Sequence, residues 1–109
     1  MQITVTNTSA KLTDLLSAGD LALAETNRGG CNEYEILAYN ADSTSTDIVY
    51  YTYGETATTS EGIPLFAPTG STSAGDSIAI FTGDLSKINL ISNVASTILN
   101  LIIKGRYVR

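Results

Sequence analysis

Short runs in which apolar and polar residues alternate predict a chain made mostly of β-strands. In 33–39, for example, Tyr34, Ile36 and Ala38 fill alternate positions, which places them on one face of a strand. Comparable runs predict further strands over 2–6, 48–53, 63–66, 76–82, 87–91 and 97–104. Serine, threonine and glycine fill the connections, and short strands with such connections are typical of an antiparallel β-sandwich.

The fold predicted from this pattern is all-β: an antiparallel, jelly-roll-like β-sandwich of about 7–8 short strands. One short N-terminal helical turn is predicted as well, because Leu12, Leu15 and Leu16 share one helical face ahead of Gly19. A chain of 109 residues is too short to bury two separate cores, so we expect a single domain over 1–109.

Two parts of this pattern need further interpretation. Ile91, Val94, Ile98 and Leu101 also fit a 3.6-residue period, so 85–104 fits either one helix or two strands. The polar pairs at 92–93 and 96–97 favour strands, because serine, threonine and asparagine are poor in a helix interior. Earlier in the chain, the two strands that flank the polar segment 40–47 predict a hairpin with a long tip.

The composition excludes several classes of function. The chain contains no histidine, which rules out Ser-His-Asp and Cys-His catalysis and histidine-based metal sites. Its net charge of −5 opposes binding to nucleic acid. No apolar run reaches the ~20 residues of a membrane helix, so no membrane association is expected. Cys31 is the single cysteine and cannot form an internal disulfide bond.

The acidic residues predict neither catalysis nor a metal site. Glu33 and Glu35 project from one side of a strand, but nothing in the spacing supplies the opposed carboxylates of a glycosidase. The alternating oxygen ligands that begin at Asn40 match a calcium loop only in part. Ser45 and Tyr51 stand where that loop needs a glycine and a glutamate. We therefore expect no enzyme activity, no cofactor and no metal.

The tyrosines and the last strand predict contact surfaces. The tyrosines of 48–53 either fill the core or form a contact patch. In 97–104, Ile98 and Ile102 face away from the core and need covering, which favours a homo-oligomer. Residues 104–109 hold three of the six basic residues, as either a solvated tail or a basic peg that docks on an acidic neighbour. The candidate interface residues are Tyr50, Tyr51, Tyr53, Ile98, Ile102, Lys104, Arg106, Tyr107 and Arg109.

The order of several segments resembles that of a known group of proteins. ILAYNA at 36–41 precedes a tyrosine-rich strand and then SEGIPL at 60–65. GDSIAI at 75–80 precedes DLSKINLI at 84–91 and a closing strand of isoleucine and leucine. Over 33–104 the chain resembles the small β-sandwich virion proteins of tailed bacteriophages, which occur as head decoration (cement) proteins and as fibre or vertex attachments.

The resemblance implies a structural, non-enzymatic protein that is made in the host cytoplasm and binds the outer surface of a capsid, often as a trimer. Its partners would be the major capsid protein or another virion protein, together with further copies of itself. The alternative is a carbohydrate- or host-binding β-sandwich module of a phage fibre or tail component. In that case exposed tyrosines such as Tyr51 would serve as sugar platforms.

Overall fold

The computed structural model describes residues 1–69 and 75–108, and in these the chain alternates between two sheets. The strands are β1 (Gln2–Val5), β2 (Ala10–Lys11), β3 (Glu33–Asn40), β4 (Ile48–Tyr53), β5 (Ile63–Phe66), β6 (Ser77–Thr82), β7 (Ile88–Ser92) and β8 (Thr97–Arg106). The helical elements are α1 (Leu12–Leu15), α2 (Ala18–Arg28) and the 3₁₀ turn Leu85–Lys87.

Each sheet has four strands, and every neighbouring pair is antiparallel. Sheet 1 has the order β1-β8-β3-β6, and sheet 2 has the order β2-β7-β4-β5. Because the chain crosses between the sheets at most of its connections, the strands form the double-sheet arrangement of a jelly roll. The predicted antiparallel β-sandwich is confirmed.

The core lies between the sheets and is filled by the inward positions of the strands. Ile36 of β3 is fully buried, and Leu99, Leu101 and Ile103 of β8 are buried as well, whereas Ile102 is 56% exposed. This confirms the alternation predicted for the last strand. Each fully buried side chain of this size stabilises the fold by about 1.5–3 kcal/mol.

Residues 85–104 form strands and not a single helix, as their polar pairs predicted. The helical part is limited to the 3₁₀ turn, which Asp84 caps by accepting a hydrogen bond from the amide nitrogen of Ser86. β7 ends at Ser92 and β8 begins at Thr97, and the hydroxyl oxygens of these two residues are buried 2.5 Å apart. The polar residues that disfavour a helix therefore hold the turn between two strands.

The predicted N-terminal helical turn is present as α1, but the 11-residue helix α2 was not predicted. Ser17 caps α2 by accepting a hydrogen bond from the amide nitrogen of Asp20, and Gly29, with a φ of 58°, follows its last residue. The sequence suggested that Gly19 ends the N-terminal helical turn. Gly19 instead lies in the first turn of α2. Ala24 is the one fully buried residue of α2, so the apolar pattern that reveals a helix is weak there.

β3 and β4 do not form the predicted hairpin. β3 pairs with β6 and β8 in sheet 1, while β4 pairs with β5 and β7 in sheet 2. Buried polar groups hold the connection between them: Asn40 Nδ2 donates to the carbonyl oxygens of Asp47 (3.1 Å) and Leu65 (2.9 Å). The carboxylate of Asp42 accepts from the amide nitrogen of Ile98 at 2.8 Å. These bonds tie the connection to strands of both sheets.

The predicted basic tail at 104–109 begins inside β8, which continues through Arg106. Lys104 and Arg106 are both paired with β3, so they belong to sheet 1 and not to a tail. Gly105 permits this pairing beside α2. A Cβ at this position would overlap the carbonyl oxygen of Arg28 and lie 2.9 Å from Sγ of Cys31.

Candidate interaction surface

The outer face of sheet 1 carries apolar side chains on three adjacent strands. Leu37 of β3 lies between Ile102 of β8 and Ala79 of β6 in the strand register. Leu37 is 40% exposed, and Phe81, the next outward residue of β6, is 45% exposed. We name Leu37, Ala79, Phe81 and Ile102 the outer strip. The described part of the chain leaves all four open to solvent.

The same alternation that builds the core places the outer strip on the surface. Ile36, Ile80 and Ile103 are buried, so their neighbours along β3, β6 and β8 face outward. Outward positions of a sheet with one solvated face are ordinarily polar. The apolar residues of the outer strip therefore have no explanation in the packing of the core.

Charged side chains border one end of the outer strip. Lys104 Nζ lies 3.0 Å from Glu35 Oε2, and Arg106 Nη1 lies 3.8 Å from Glu33 Oε2. The Arg106 guanidinium also lies over the ring of Phe81, 4.2 Å from its centroid. Exposed pairs of this kind add at most about 1 kcal/mol each. Their main effect is to fix charged groups beside an apolar centre.

Neutral polar side chains border the opposite end. Asn100 Nδ2 donates to Tyr39 Oη at 3.0 Å, and Gln2 Nε2 donates to Asn100 Oδ1 at 3.2 Å. Between the two borders, a shallow cavity of about 280 Å³ lies over the outer strip. An apolar centre inside a polar border is the usual arrangement of a protein–protein interface.

The outer face of sheet 2 is also apolar, but its side chains are more deeply packed. Tyr50 lies between Ile91 and Pro64 in the register, and both Tyr50 and Ile91 are half-buried. Gly62 lies so close that a Cβ there would be 2.7 Å from Tyr50 Cβ. Phe66, on the edge strand β5, is 48% exposed. The turn before β5 therefore covers part of this face.

Tyr51 is a core residue and not a surface residue. It is 9% exposed, because it lies opposite buried Leu90 of β7 on the inner face of sheet 2. Burial, together with the nearby phenol of Tyr53, raises the pKa of Tyr51 above its ordinary value. The predictions that Tyr51 is a contact residue or a sugar platform are therefore wrong.

The remaining predicted interface residues do not form one surface. Four lie on the outer face of sheet 1: Ile98, Ile102, Lys104 and Arg106. Tyr50 lies on the opposite face of the sandwich, while Tyr53 and Tyr107 are 50% and 70% exposed near the ends of strands. Arg109 lies outside the described residues.

Sequence reasoning missed three members of the surface, namely Leu37, Ala79 and Phe81. The alternation placed all three on outward positions, but it gave no reason to group them with Ile102. That grouping depends on the register of β3 with β6 and β8, which brings residues far apart in sequence into one row. The available signal was an apolar residue at an outward position in each of three predicted strands.

The outer strip can bury apolar area against another molecule, and it lacks groups for bond-making chemistry. Glu33 and Glu35 each face a basic residue of β8. Within 1–69 and 75–108, no group of three or more acidic or cysteine side chains could hold a metal ion. No helix in the same residues is both long and apolar enough to cross a bilayer. Comparisons with protein-family models, curated proteins and solved structures gave no match.

Proposed function

We propose that this chain is a structural virion protein that binds the outer surface of a bacteriophage capsid as a decoration or cement protein. The observation that carries the proposal is the outer strip, in which Leu37, Phe81 and Ile102 are each at least 40% exposed on a hydrogen-bonded sheet. The resemblance over 33–104 supports the kind of partner, and the exposure of the outer strip supports contact through this face.

A capsid shell suits such a surface because it presents the same site many times. Burial of the outer strip across neighbouring shell subunits would remove apolar area from water, a gross gain of about 25 cal/mol per Å² that the costs of association offset in part. An interface of ~1,600 Å² in total is enough for stable attachment. Because each bound copy would bridge subunits, separating the subunits would require breaking these contacts as well.

The charged groups beside the outer strip balance, because Glu35 and Glu33 pair with Lys104 and Arg106. They favour a partner surface that offers polar groups of both signs around its apolar site. We assign contacts between copies, in a homotrimer, to the outer face of sheet 2, where Tyr50 and Phe66 lie. The two faces of the sandwich would then serve two different partners.

The test is binding to heads of the encoding phage that have been assembled without this chain. We expect wild-type protein to bind and Ile102→Lys to lose most of its occupancy, because the substitution places a charge in the apolar centre. Thr8→Lys is the matched control, since Thr8 is exposed in the connection between β1 and β2. Sedimentation measures the bound fraction, and electron cryomicroscopy of the particle locates the chain.

Equal binding by Ile102→Lys and wild type, or density for the chain away from the shell, contradicts the proposal. Light scattering from the free protein tests the homotrimer separately, with a mass of three copies expected. A monomer at every concentration would overturn the assignment of the sheet 2 face.

A further inference from the structure

A polar groove lies at one end of sheet 2, away from the outer strip. It has a volume of about 340 Å³ and is formed by β2, the connection after β4, the 3₁₀ turn and β7. The side chains that line this polar groove include Lys11, Glu55, Asp84, Ser86, Lys87 and Asn89. Every lining side chain is polar, in contrast with the cavity over the outer strip.

The polar groove gathers two cations that are not used in ion pairs. Neither Lys11 nor Lys87 lies within 4.0 Å of a carboxylate oxygen among the described residues. Glu55 and Asp84 line the same groove, so its formal charges balance. A simple anion would meet the two carboxylates, and a simple cation would meet the two ammonium groups. The lining therefore favours a ligand that offers donors and acceptors together.

Asp84 presents a fixed hydrogen-bond acceptor to this groove. Its Oδ1 accepts from the hydroxyl and the amide nitrogen of Ser86, at 2.6 and 2.9 Å. These bonds lower the pKa of Asp84 despite partial burial, and the charges of Lys87 and Lys11 lower it further. In the described residues no group donates to Oδ2, so this oxygen is open to a ligand.

We propose that the polar groove is a saccharide-binding site. A sugar hydroxyl both donates and accepts, so neighbouring hydroxyls can donate to Asp84 Oδ2 and accept from Lys11 or Lys87. A few convergent polar groups in a concave surface are the usual means of orienting a small ligand. This site is separate from the outer strip, so capsid attachment and saccharide binding can fail independently.

The experiment is an NMR titration of the isotope-labelled full chain with glucose, galactose, mannose, N-acetylglucosamine and glucuronic acid. Inorganic phosphate is titrated as the comparison anion. We expect saturable shifts of the amides of Gly54, Ser86 and Lys87 with at least one saccharide. Lys87→Met removes the ammonium group and keeps the stem, and we expect it to weaken binding by about tenfold or more.

Lys104→Met is the matched control, because it makes the same change on the outer face of sheet 1, and it should bind as wild type does. Far-ultraviolet circular dichroism checks that both variants fold. Three results would overturn the proposal: no saturable shift with any saccharide, equal binding by Lys87→Met and wild type, or shifts at these amides with phosphate alone.

Discussion

The β3–β4 connection and the outer strip depart from the usual distribution of residues in opposite ways. In the connection, Asn40, Asp42 and Asp47 are polar and buried, and hydrogen bonds within the chain satisfy the side chains of Asn40 and Asp42. On the outer strip, Leu37 and Ile102 are apolar and exposed, and no described residue covers them. The first arrangement serves the fold, whereas the second is open to another molecule.

The largest expected effect on the free energy of unfolding comes from the substitution Asn40→Ala. Asn40 is fully buried and makes hydrogen bonds to Asp42, Asp47 and Leu65, so its truncation leaves three backbone groups without a partner. We expect a loss of about 3 kcal/mol or more in the free energy of unfolding, measured by urea denaturation. Asn100→Ala is the matched control at the border of the outer strip, where we expect a loss of about 1 kcal/mol or less.

A variant Asn40→Ala that is too unstable to fold also agrees with this expectation. A loss smaller than that of Asn100→Ala would show that the connection does not hold the two sheets together.

An intermediate effect on the free energy of unfolding is expected from the two carboxyl groups of the connection, Asp42 and Asp47, and this effect depends on pH. Burial raises the pKa of Asp47, and so does the neighbouring Asp42, through both its charge and its hydrogen bond. Burial also opposes ionisation of Asp42. Its hydrogen bonds from the amides of Thr44 and Ile98, with one from Asp47, outweigh burial and lower its pKa below 3.8.

These opposite shifts predict opposite effects of two substitutions. The Asp47 carboxyl group stabilises the folded state below pH 3.8, where it is protonated. This stabilisation is lost as the pH rises through the raised pKa of Asp47 in the folded protein. Asp47→Asn should therefore stabilise the protein at pH 7 and make no difference at the acid end. The contribution of Asp42 is present above pH 3.8 and is lost as the pH falls through its lowered folded pKa.

Asp42→Asn should therefore destabilise the protein at pH 7, by roughly 2 kcal/mol, because one of two amide hydrogen bonds is lost. Thermal unfolding from pH 3 to pH 8 measures both variants. If both shift the stability in the same direction at pH 7, the two carboxyl groups are not coupled in this way.

The smallest effect on stability is expected from the outer strip. The double substitution Leu37→Ser and Ile102→Ser should lower the free energy of unfolding by no more than about 1 kcal/mol per site, since the two side chains are 40% and 56% exposed and neither belongs to the core. Urea denaturation measures this directly. A large loss would show that these residues support the fold, which would contradict their assignment to an external partner.

Strand positions and their inward faces could be predicted from the sequence because they depend on neighbours in the chain. The period of two alone places Ile36 and Leu101 inside and Ile102 outside. In the same way, the missing N–H of Pro64 suits the edge strand β5, where it lies.

The partners of the strands could not be predicted, because pairing depends on residues that are distant in sequence. The hydrogen bond from the amide of Ile98 to Asp42 joins residues 56 positions apart and gives no local signal. The hairpin prediction failed for this reason. Tyr51 was misplaced because the tyrosines of β4 lie on both of its faces, and the sequence did not show that Tyr51 shares the inner face with Val49. Helix α2 was missed because so little of its surface is buried.

The pairing of β1 with β8 has a consequence for the synthesis of the protein. Gln2 pairs with Asn100, 98 residues later, and β8 is also the strand that joins β1 to β3. Until β8 has left the ribosome, the edges of β1 and β3 that face it have no partner strand. Folding must then close a long loop, which places the protein among the slower, topologically complex folders.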